Sequence, residues 1–268
     1  MKKALIHSTE IIKEIEQAGG FILMLDFDGT LAPIASEPKK AKISAPASAI
    51  LEALKFLVPI AVISGRQLDD VIQKVGVANI AYAGNHGFEW KIDSTRNAKK
   101  VPQQEINALA RVAKNLQILE NKFNGLHVEY KNYTIAVHFR SVKKKLLDAL
   151  RIACNQVLNP FIQKGLLISS EGRRVLDITP NMNWNKGSCA RMLYKHLSSG
   201  YKIKLVPIFI GDDATDESIF VELREGITIR VGWNSNSAAT YFFHTRSEVE
   251  SFLMLLLKLG QEIKTSRV

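Results

Sequence analysis

Two aspartates close one apolar run of this sequence. In Phe21-Ile-Leu-Met-Leu-Asp26-Phe-Asp28-Gly29-Thr30, a pair of carboxylates two residues apart stands where a strand gives way to a loop. Strand-like geometry at i and i+2 would point both side chains the same way. Anions that close repel, which favours a bound cation or raises one pKa. Either outcome suits one group as nucleophile and the other as acid/base. Gly29 permits a turn at the strand end, and the Thr30 hydroxyl can hydrogen-bond nearby carboxylates. An Asp-x-Asp-Gly segment is also an ordinary turn, so its company decides its meaning.

That company is a second acidic knot, Gly211-Asp212-Asp213-Ala-Thr-Asp216-Glu217, after the apolar run Leu205 to Ile210. Asp213 alone would suffice to cap a helix starting near Asp216; capping requires one carboxylate rather than four. Oxygen ligands without Cys or paired His select a hard cation, and a site completed by water and a substrate phosphate points to Mg²⁺ rather than Ca²⁺ or Zn²⁺. Ser64 ends the run Ile60-Ala-Val-Ile-Ser64-Gly65-Arg66, so its hydroxyl and the Gly65 amide can donate to phosphoryl oxygens at a helix N-terminus. Lys186 opens another helix after Trp184-Asn and can neutralise phosphate charge. Singly, these two read more readily as an N-cap and a solvated lysine. Together the four places supply a nucleophile, a proton shuttle, metal ligands and an anion clamp, the set that phosphoryl transfer requires.

The elements that must position these groups are legible in the hydrophobic spacing. Short apolar runs alternate with helix-period segments, as a parallel sheet flanked by helices requires. The expected order begins with strand Phe21 to Leu25. A helix follows, capped by Ser44 with Pro46 in its first turn, then strand Ile60 to Ile63 and helix Gly65 to Val75. Strand Ile80 to Ala83 comes next, with a hairpin around Asp93-Ser94. A different rhythm then sets in. Helix Gln103 to Glu120 precedes strands Leu126 to Lys131 and Thr134 to Arg140, which turn at Asn132-Tyr133. Helix Lys143 to Leu158 ends at Asn159-Pro160, and strands Leu166 to Ser169 and Arg174 to Ile178 follow. After Pro180 the first rhythm returns, through helix Lys186 to Leu197, strand Leu205 to Ile210, helix Asp216 to Leu223 and strand Ile227 to Val231. A last helix carries a Ser247/Glu250 capping box. The expectation is an α/β fold: a Rossmann-like parallel-sheet core in residues 1–102 and 181–268, interrupted by an α+β cap domain in residues 103–180 with an antiparallel sheet.

With 268 residues and 46% hydrophobic composition, the chain can bury a substantial core, which excludes intrinsic disorder. No apolar stretch approaches the ~20 residues of a membrane span, and His7, Glu10, Lys13, Glu14 and Glu16 interrupt any signal-peptide core after Met1-Lys2-Lys3. No membrane association and a cytoplasmic location are expected. Cys154 and Cys189 suit reduced core thiols. The net charge of +10 lies in small groups, Lys39-Lys40, Lys99-Lys100, Lys143-Lys144-Lys145 and Arg173-Arg174, a field that attracts anions. No nucleic-acid motif accompanies them, so a phosphorylated metabolite is the expected partner and nucleic acid is not. A monomer is the default expectation.

With its motifs in order, Asp26-x-Asp28-Gly-Thr30, Ser64, Lys186 and Gly211-Asp212-Asp213 with Asp216, the chain resembles the haloacid dehalogenase superfamily of phosphohydrolases. The resemblance implies that Asp26 attacks phosphorus to give an aspartyl phosphate, while Asp28 protonates the leaving oxygen and then deprotonates water. It implies Mg²⁺ held by Asp26, the backbone carbonyl of Asp28 and Asp212, with Asp213 or Asp216 contacting its waters or Lys186. The insert lies where larger caps of that superfamily stand, and its closure would exclude bulk water.

Gly84-Asn85-His86-Gly87-Phe88-Glu89, Glu129-x-Lys131, His138-x-Arg140 and Val175-Leu-Asp-Ile-x-Pro180 narrow the resemblance to the trehalose-6-phosphate phosphatases, as does Gly211 to Glu217. In strands, Glu129 and Lys131 share one face and His138 and Arg140 another, although charged side chains on an antiparallel sheet also simply face water. The resemblance implies sugar contacts by Asn85, His86, Gly87, Glu129, Lys131, His138 and Arg140, with Arg66 a further candidate. Asp177 departs from the family, where Glu is more usual. No glycosyltransferase domain precedes the phosphatase-like region, so a stand-alone enzyme hydrolysing trehalose 6-phosphate is expected. The rivals are a phosphatase of another sugar phosphate or glycosyl phosphoglycerate, and a non-catalytic anion- or nucleic-acid-binding protein.

Overall fold

A computed structural model of the chain describes residues 1–35, 38–172 and 174–266; Arg173 of the basic pair Arg173-Arg174 lies outside the described residues. The chain divides into two compact units, Met1–Ala98 with Trp184–Val268, and Lys99–Asn183.

In the first unit the elements are β1 (Lys2–Lys3), α1 (Ser8–Ala18), β2 (Phe21–Leu25), α2 (Ala45–Leu54), β3 (Ile60–Ile63), α3 (Leu68–Val75), β4 (Ala81–Gly84), β5 (Glu89–Ile92) and β6 (Thr95–Ala98). The second unit contributes α4 (Gln103–Glu120), β7 (His127–Tyr130), β8 (Ile135–His138), α5 (Leu147–Gln163), β9 (Leu167–Glu171) and β10 (Val175–Pro180). The chain returns to the first unit for α6 (Lys186–Ser198), β11 (Val206–Gly211), α7 (Glu217–Glu222), β12 (Ile227–Val231), β13 (Tyr241–Phe243) and α8 (Ser247–Thr265).

The large sheet runs β1-β13-β12-β11-β2-β3-β4-β5-β6, parallel from β1 to β4 and antiparallel through the β5/β6 hairpin. Its central strands alternate between two buried clusters. Phe21, Leu23 and Leu25 join one with the residues of α1, α2, α3 and α8; Ile22 and Met24 join the other with those of α6 and α7. A parallel sheet covered on both faces explains why these strands are uninterrupted apolar runs. Each fully buried Leu or Phe contributes roughly 1.5–3 kcal/mol. The order reverses between β2 and β11: β3 lies on one side of β2, β11 on the other. The crevice outside the strand ends at such a switch point is where open α/β sheets bind ligands.

The second unit is an antiparallel sheet, β7-β8-β10-β9, with α4 and α5 against one face. Val128, Ile135, Val137, Leu167 and Ile178 meet Leu109, Val112, Leu116, Leu150 and Leu158 in its core. The register places His127 opposite His138, and Glu129 opposite Ala136, which pairs in turn with Asp177, so these residues share the other face. The α/β core with an inserted α+β module is thus the observed architecture. Among the described residues, no helix is long and apolar enough to cross a membrane. Both cysteines are free and buried, and burial pushes Cys154 to about 11 and Cys189 to about 12.

Four local expectations are corrected. Helix α5 runs through Asn159-Pro160 to Gln163, because Leu158 and Phe161 both pack on the core; the stop is Gly165 (φ +69), whose N–H donates to the Ile162 carbonyl at 2.9 Å. The Ser247/Glu250 capping box does not form. Glu250 accepts instead from the Ser44 hydroxyl of the α2 cap (2.8 Å), and Glu248 accepts from the His244 N–H (2.9 Å). Helix α3 begins at Leu68, so Ser64, Gly65 and Arg66 form a loop before it rather than its first turn. Finally, α1 was not expected: the charges at Glu10, Lys13, Glu14 and Glu16 form the wet side of an amphipathic helix whose Ile11 and Ile15 are fully buried.

Candidate active site

Asp26, Ser64, Asn85 and Asp212 follow directly after β2, β3, β4 and β11, four neighbours in the sheet, so the loops that carry them stand at one edge. Asp26 still obeys the ladder, its N–H donating to the Ile210 carbonyl at 2.9 Å, and its side chain is buried. Lys186, the first residue of α6 and 3% exposed, donates to Asp26 Oδ1 at 2.6 Å and to Asp216 Oδ1 at 2.5 Å. One carboxylate oxygen from each of Asp26, Asp212 and Asp216 lies within 4.8 Å of the others.

Asp216 is fully buried, and its second oxygen accepts from the Asp212 and Asp213 amides at 2.9 and 3.0 Å. With both oxygens committed, Asp216 organises the loop and Lys186. Asp212 differs, since its Oδ1 is buried with no hydrogen-bond partner among the described residues. Gly29 makes that carboxylate's approach possible: at φ +80, a Cβ there would stand 2.1 Å from Asp212 Oδ2.

Three carboxylates around one ammonium leave this buried pocket with net negative charge. Burial, reinforced by Asp216 and Asp213, pushes Asp212 up to about 8. Burial also lifts Asp26 well above the carboxylate range, with Asp216 and Asp212 adding to it against the opposing pull of Lys186. For Lys186, burial works toward neutrality, but its two carboxylate partners win and hold it above the ordinary lysine value. A divalent cation fits this arrangement. The donors are oxygens, which suits a hard ion, and the orphaned Asp212 oxygen offers a ligand.

Asp28 does not share these partners. The strand ends at Leu25, so the alternation that would aim Asp26 and Asp28 alike no longer applies. Both Asp28 oxygens accept from the Arg66 guanidinium, at 2.6 and 2.7 Å. Asp213, expected at the metal, turns its carboxylate to the Ala214 N–H at 2.7 Å as the cap of the short turn Ala214–Asp216, so Asp216 takes the place in the acidic cluster. Thr30 is fully buried and its hydroxyl has no partner among the described residues, so it bonds none of their carboxylates. The Ser64 hydroxyl is buried too and accepts from the Arg66 N–H at 3.2 Å.

After β4, Asn85 (φ +50), His86 (φ +55) and Gly87 (φ +88) are left-handed in succession, a conformation that costs non-glycine residues about 1–2 kcal/mol each. It turns the His86 ring onto Gly65, where an added Cβ would lie 2.6 Å from the imidazole Cε1. The Asn85 and His86 amides donate to the Arg66 and Ser64 carbonyls at 2.6 and 3.0 Å, the Asn85 side chain bonds Glu89, and the Gly87 carbonyl accepts from Trp184 Nε1 at 2.9 Å. His86 and Asn85 are therefore both buried supports of the Ser64–Arg66 loop.

Within the second unit, Glu129 gathers Lys131 Nζ at 3.5 Å and His138 Nε2 at 3.3 Å. Burial would raise Glu129, but His138 and Lys131 overcome it and hold the carboxyl near 2. The His127 ring stacks on His138 with centroids 6.0 Å apart. Arg140 does not share their strand face, because β8 ends at His138 and Arg140 lies exposed in the following turn.

Comparison with known proteins places these motifs. A trehalose-phosphatase family model matches residues 24–248. The chain belongs to the trehalose-phosphatase family. It is similar to the trehalose-phosphate phosphatase of Mycobacterium ulcerans (strain Agy99), 34% identical over 236 residues that cover 86% of this chain and 60% of that protein. The chain thus spans about 60% of the length of that relative. Its fold is similar to that of the C. albicans trehalose-6-phosphate phosphatase C-terminal domain (TM-score 0.81, 21% identity, 93% of this chain and 96% of that one). It is also similar to that of a haloacid dehalogenase-like hydrolase from Bacteroides thetaiotaomicron (TM-score 0.63, 15% identity, 88% and 99%).

Two residues of this trehalose-phosphatase family chain escaped the motif reading. Arg230, next to last in β12, donates to the Asp213 carbonyl at 3.2 Å and to Glu217 at 2.7 Å, tying down the acidic loop. Asp70 accepts from Arg66 at 2.7 Å. A lone Arg at a strand end and an Asp in a helix's first turn carry no sequence signal of this kind; only the fold brings them to the site.

Proposed function

We propose that the chain hydrolyses trehalose 6-phosphate to trehalose and phosphate through an aspartyl phosphate on Asp26. The observation that carries this reading is the buried Lys186 bridging Asp26 and Asp216, with the unpartnered Asp212 oxygen beside them. That arrangement supplies an orienting ammonium and a cation site around one carboxylate.

In the proposed reaction an Asp26 oxygen bonds to phosphorus as the ester P–O bond breaks. The departing sugar oxygen takes a proton from Asp28. Water then gives a proton back to Asp28 and attacks phosphorus, which releases inorganic phosphate and restores Asp26. Ser64, the Gly65 amide, Thr30 and Lys186 bind the phosphoryl oxygens; the buried Thr30 hydroxyl, with no partner of its own, supports its part in this set. Mg²⁺ would be held by Asp26 and Asp212, joined by the Asp28 backbone carbonyl as the family resemblance implies. When bound it supplies charge neutralisation and polarises the phosphoryl group. Glu129, Lys131, His138 and Arg140 are assigned to the sugar hydroxyls, with the ionised Glu129 as acceptor. Asn85, His86 and Gly87 shape the floor of the phosphate loop.

Phosphate release measured with and without Mg²⁺ on trehalose 6-phosphate, sucrose phosphate and glucosyl phosphoglycerate tests the assignment. Trehalose 6-phosphate should give the highest kcat/KM, and equal or better turnover of another ester would end the trehalose assignment. Asp26→Asn should lose about 10⁴-fold or more in kcat; release at the wild-type rate would remove Asp26 as nucleophile.

A further inference from the structure

Each nitrogen of the Arg66 guanidinium donates to a carboxylate of the first unit. Nε and Nη2 form a fork on the two oxygens of Asp28, at 2.6 and 2.7 Å, and Nη1 donates to Asp70 on the first turn of α3 at 2.7 Å. The plane is backed by the Phe27 ring, 5.2 Å away, and the side chain is only 10% exposed, against 42% for Asp28. Its backbone is also pinned, with the N–H on Ser64 Oγ and the carbonyl on the Asn85 amide. A guanidinium held on these sides has little freedom to turn to a ligand. The carboxylate it grips is part-exposed and keeps a second lone-pair site on each oxygen outside the fork.

We infer that Arg66 is a positioning residue that aims Asp28. Its fork fixes the carboxylate plane so that a proton is exchanged in one direction, toward the departing ester oxygen, and it acts on the sugar only through Asp28. The inference rests on the proposed role of Asp28. Asp70 and Phe27 set the guanidinium, which in turn sets the acid. Lysine, a point charge without a fork, cannot replace it.

Leaving-group dependence tests this. Alkyl phosphates such as trehalose 6-phosphate or glucose 6-phosphate need a proton on the departing oxygen, whereas p-nitrophenolate leaves without one. The readout is the kcat ratio of whichever alkyl phosphate the wild type hydrolyses to p-nitrophenyl phosphate, with Asp28→Asn as benchmark. Asp28→Asn should lower the ratio about 100-fold, as expected for loss of general acid catalysis. Arg66→Met should lower it about 30-fold and Asp70→Asn about 3-fold. Arg66→Lys, which keeps the charge, should fall with Arg66→Met and serves in its place if that variant does not fold.

Equal loss on both substrates in the Arg66 variants would make Arg66 a phosphate contact or a structural residue. A rise in KM for the sugar ester at unchanged kcat would make it a direct sugar contact. Either result overturns the inference while the Asp28 benchmark stands. A benchmark with no leaving-group selectivity would instead remove Asp28 as the acid, and the inference with it.

Discussion

Carboxylates in the two units of this chain are pushed in opposite directions. Asp212 and Asp26 sit among other acids in a buried pocket where a single ammonium, Lys186, faces three carboxylates, and both are held above the normal range. Glu129, half-buried on the sheet of the second unit, has two basic neighbours and is held near 2. The two places have the same kind of side chain but opposite charge balance. In the second unit the carboxylate is outnumbered by the basic groups that hold it ionised. In the first unit the carboxylates outnumber the ammonium, the balance that a divalent cation would offset in the proposed reaction.

The sharpest way to break this contrast is to remove the ion. Chelation by EDTA should reduce phosphate release by about 10³-fold or more, with recovery on adding Mg²⁺. Saturating Mg²⁺, at about 100 times its Kd, should stabilise the chain by about 2.7 kcal/mol in thermal or urea denaturation. Full activity in EDTA would mean that the acidic cluster is balanced without a cation.

A smaller effect should follow from Gly29→Ala, which puts a methyl group against the Asp212 carboxylate at a left-handed backbone position. Denaturation should show a loss of roughly 1–3 kcal/mol, and titration should show Mg²⁺ half-activation moved about tenfold upward. An unchanged Mg²⁺ requirement would separate Asp212 from the ion.

Smallest, and most diagnostic of the comparison, is the pH dependence of stability in the metal-free chain. A carboxyl raised in the folded state binds its proton more tightly there than when unfolded. The Asp212 contribution is therefore full below its ordinary value of 3.8 and is lost as pH rises through about 8. Glu129, lowered from 4.5 to about 2, has the opposite slope: its contribution is full above 4.5 and lost as pH falls toward 2. Exposure and solvent screening keep the Glu129 effect under about 1 kcal/mol. Urea midpoints between pH 2 and 9 should show Asp212→Asn flattening the fall between about pH 4 and 8 and Glu129→Gln flattening the acid fall below 4.5. Slopes of the same sign for the two sites would end the contrast.

How much of this was legible in the sequence depended on range. Strands β2, β3 and β12 and helix α4 coincide with their hydrophobic patterns, because their burial is decided by neighbours the pattern encodes directly. The edge strand β1 and its neighbour β13, two and three residues long, carry no period to read. Pro160 and the Ser247/Glu250 pair misled for one reason: a local signal lost to packing or to a partner some 200 positions away, Phe161 on its core and Ser44 beside Glu250. At the site, the residue types and the order of the motifs pointed to loops that the fold gathers at one edge of the sheet. Division of labour did not follow from spacing. Asp213 against Asp216, and Asp26 against Asp28, differ only in which long-range partner the fold delivers: the backbone amides and Lys186 to Asp216, Arg66 to Asp28.

The run of left-handed residues from Asn85 to Gly87 has a consequence for how the molecule tolerates change. One side of it bears on the Ser64–Arg66 loop; the other, through the Gly87 carbonyl and the Trp184 indole, bears on the segment that leads into Lys186. The run works like a gauge block whose thickness sets two separate fittings at once. Swapping one residue there for a bulkier or straighter one would shift the Ser64–Arg66 loop and the start of α6 together, so drift at these three positions has to be matched on both sides before the chain regains its alignment.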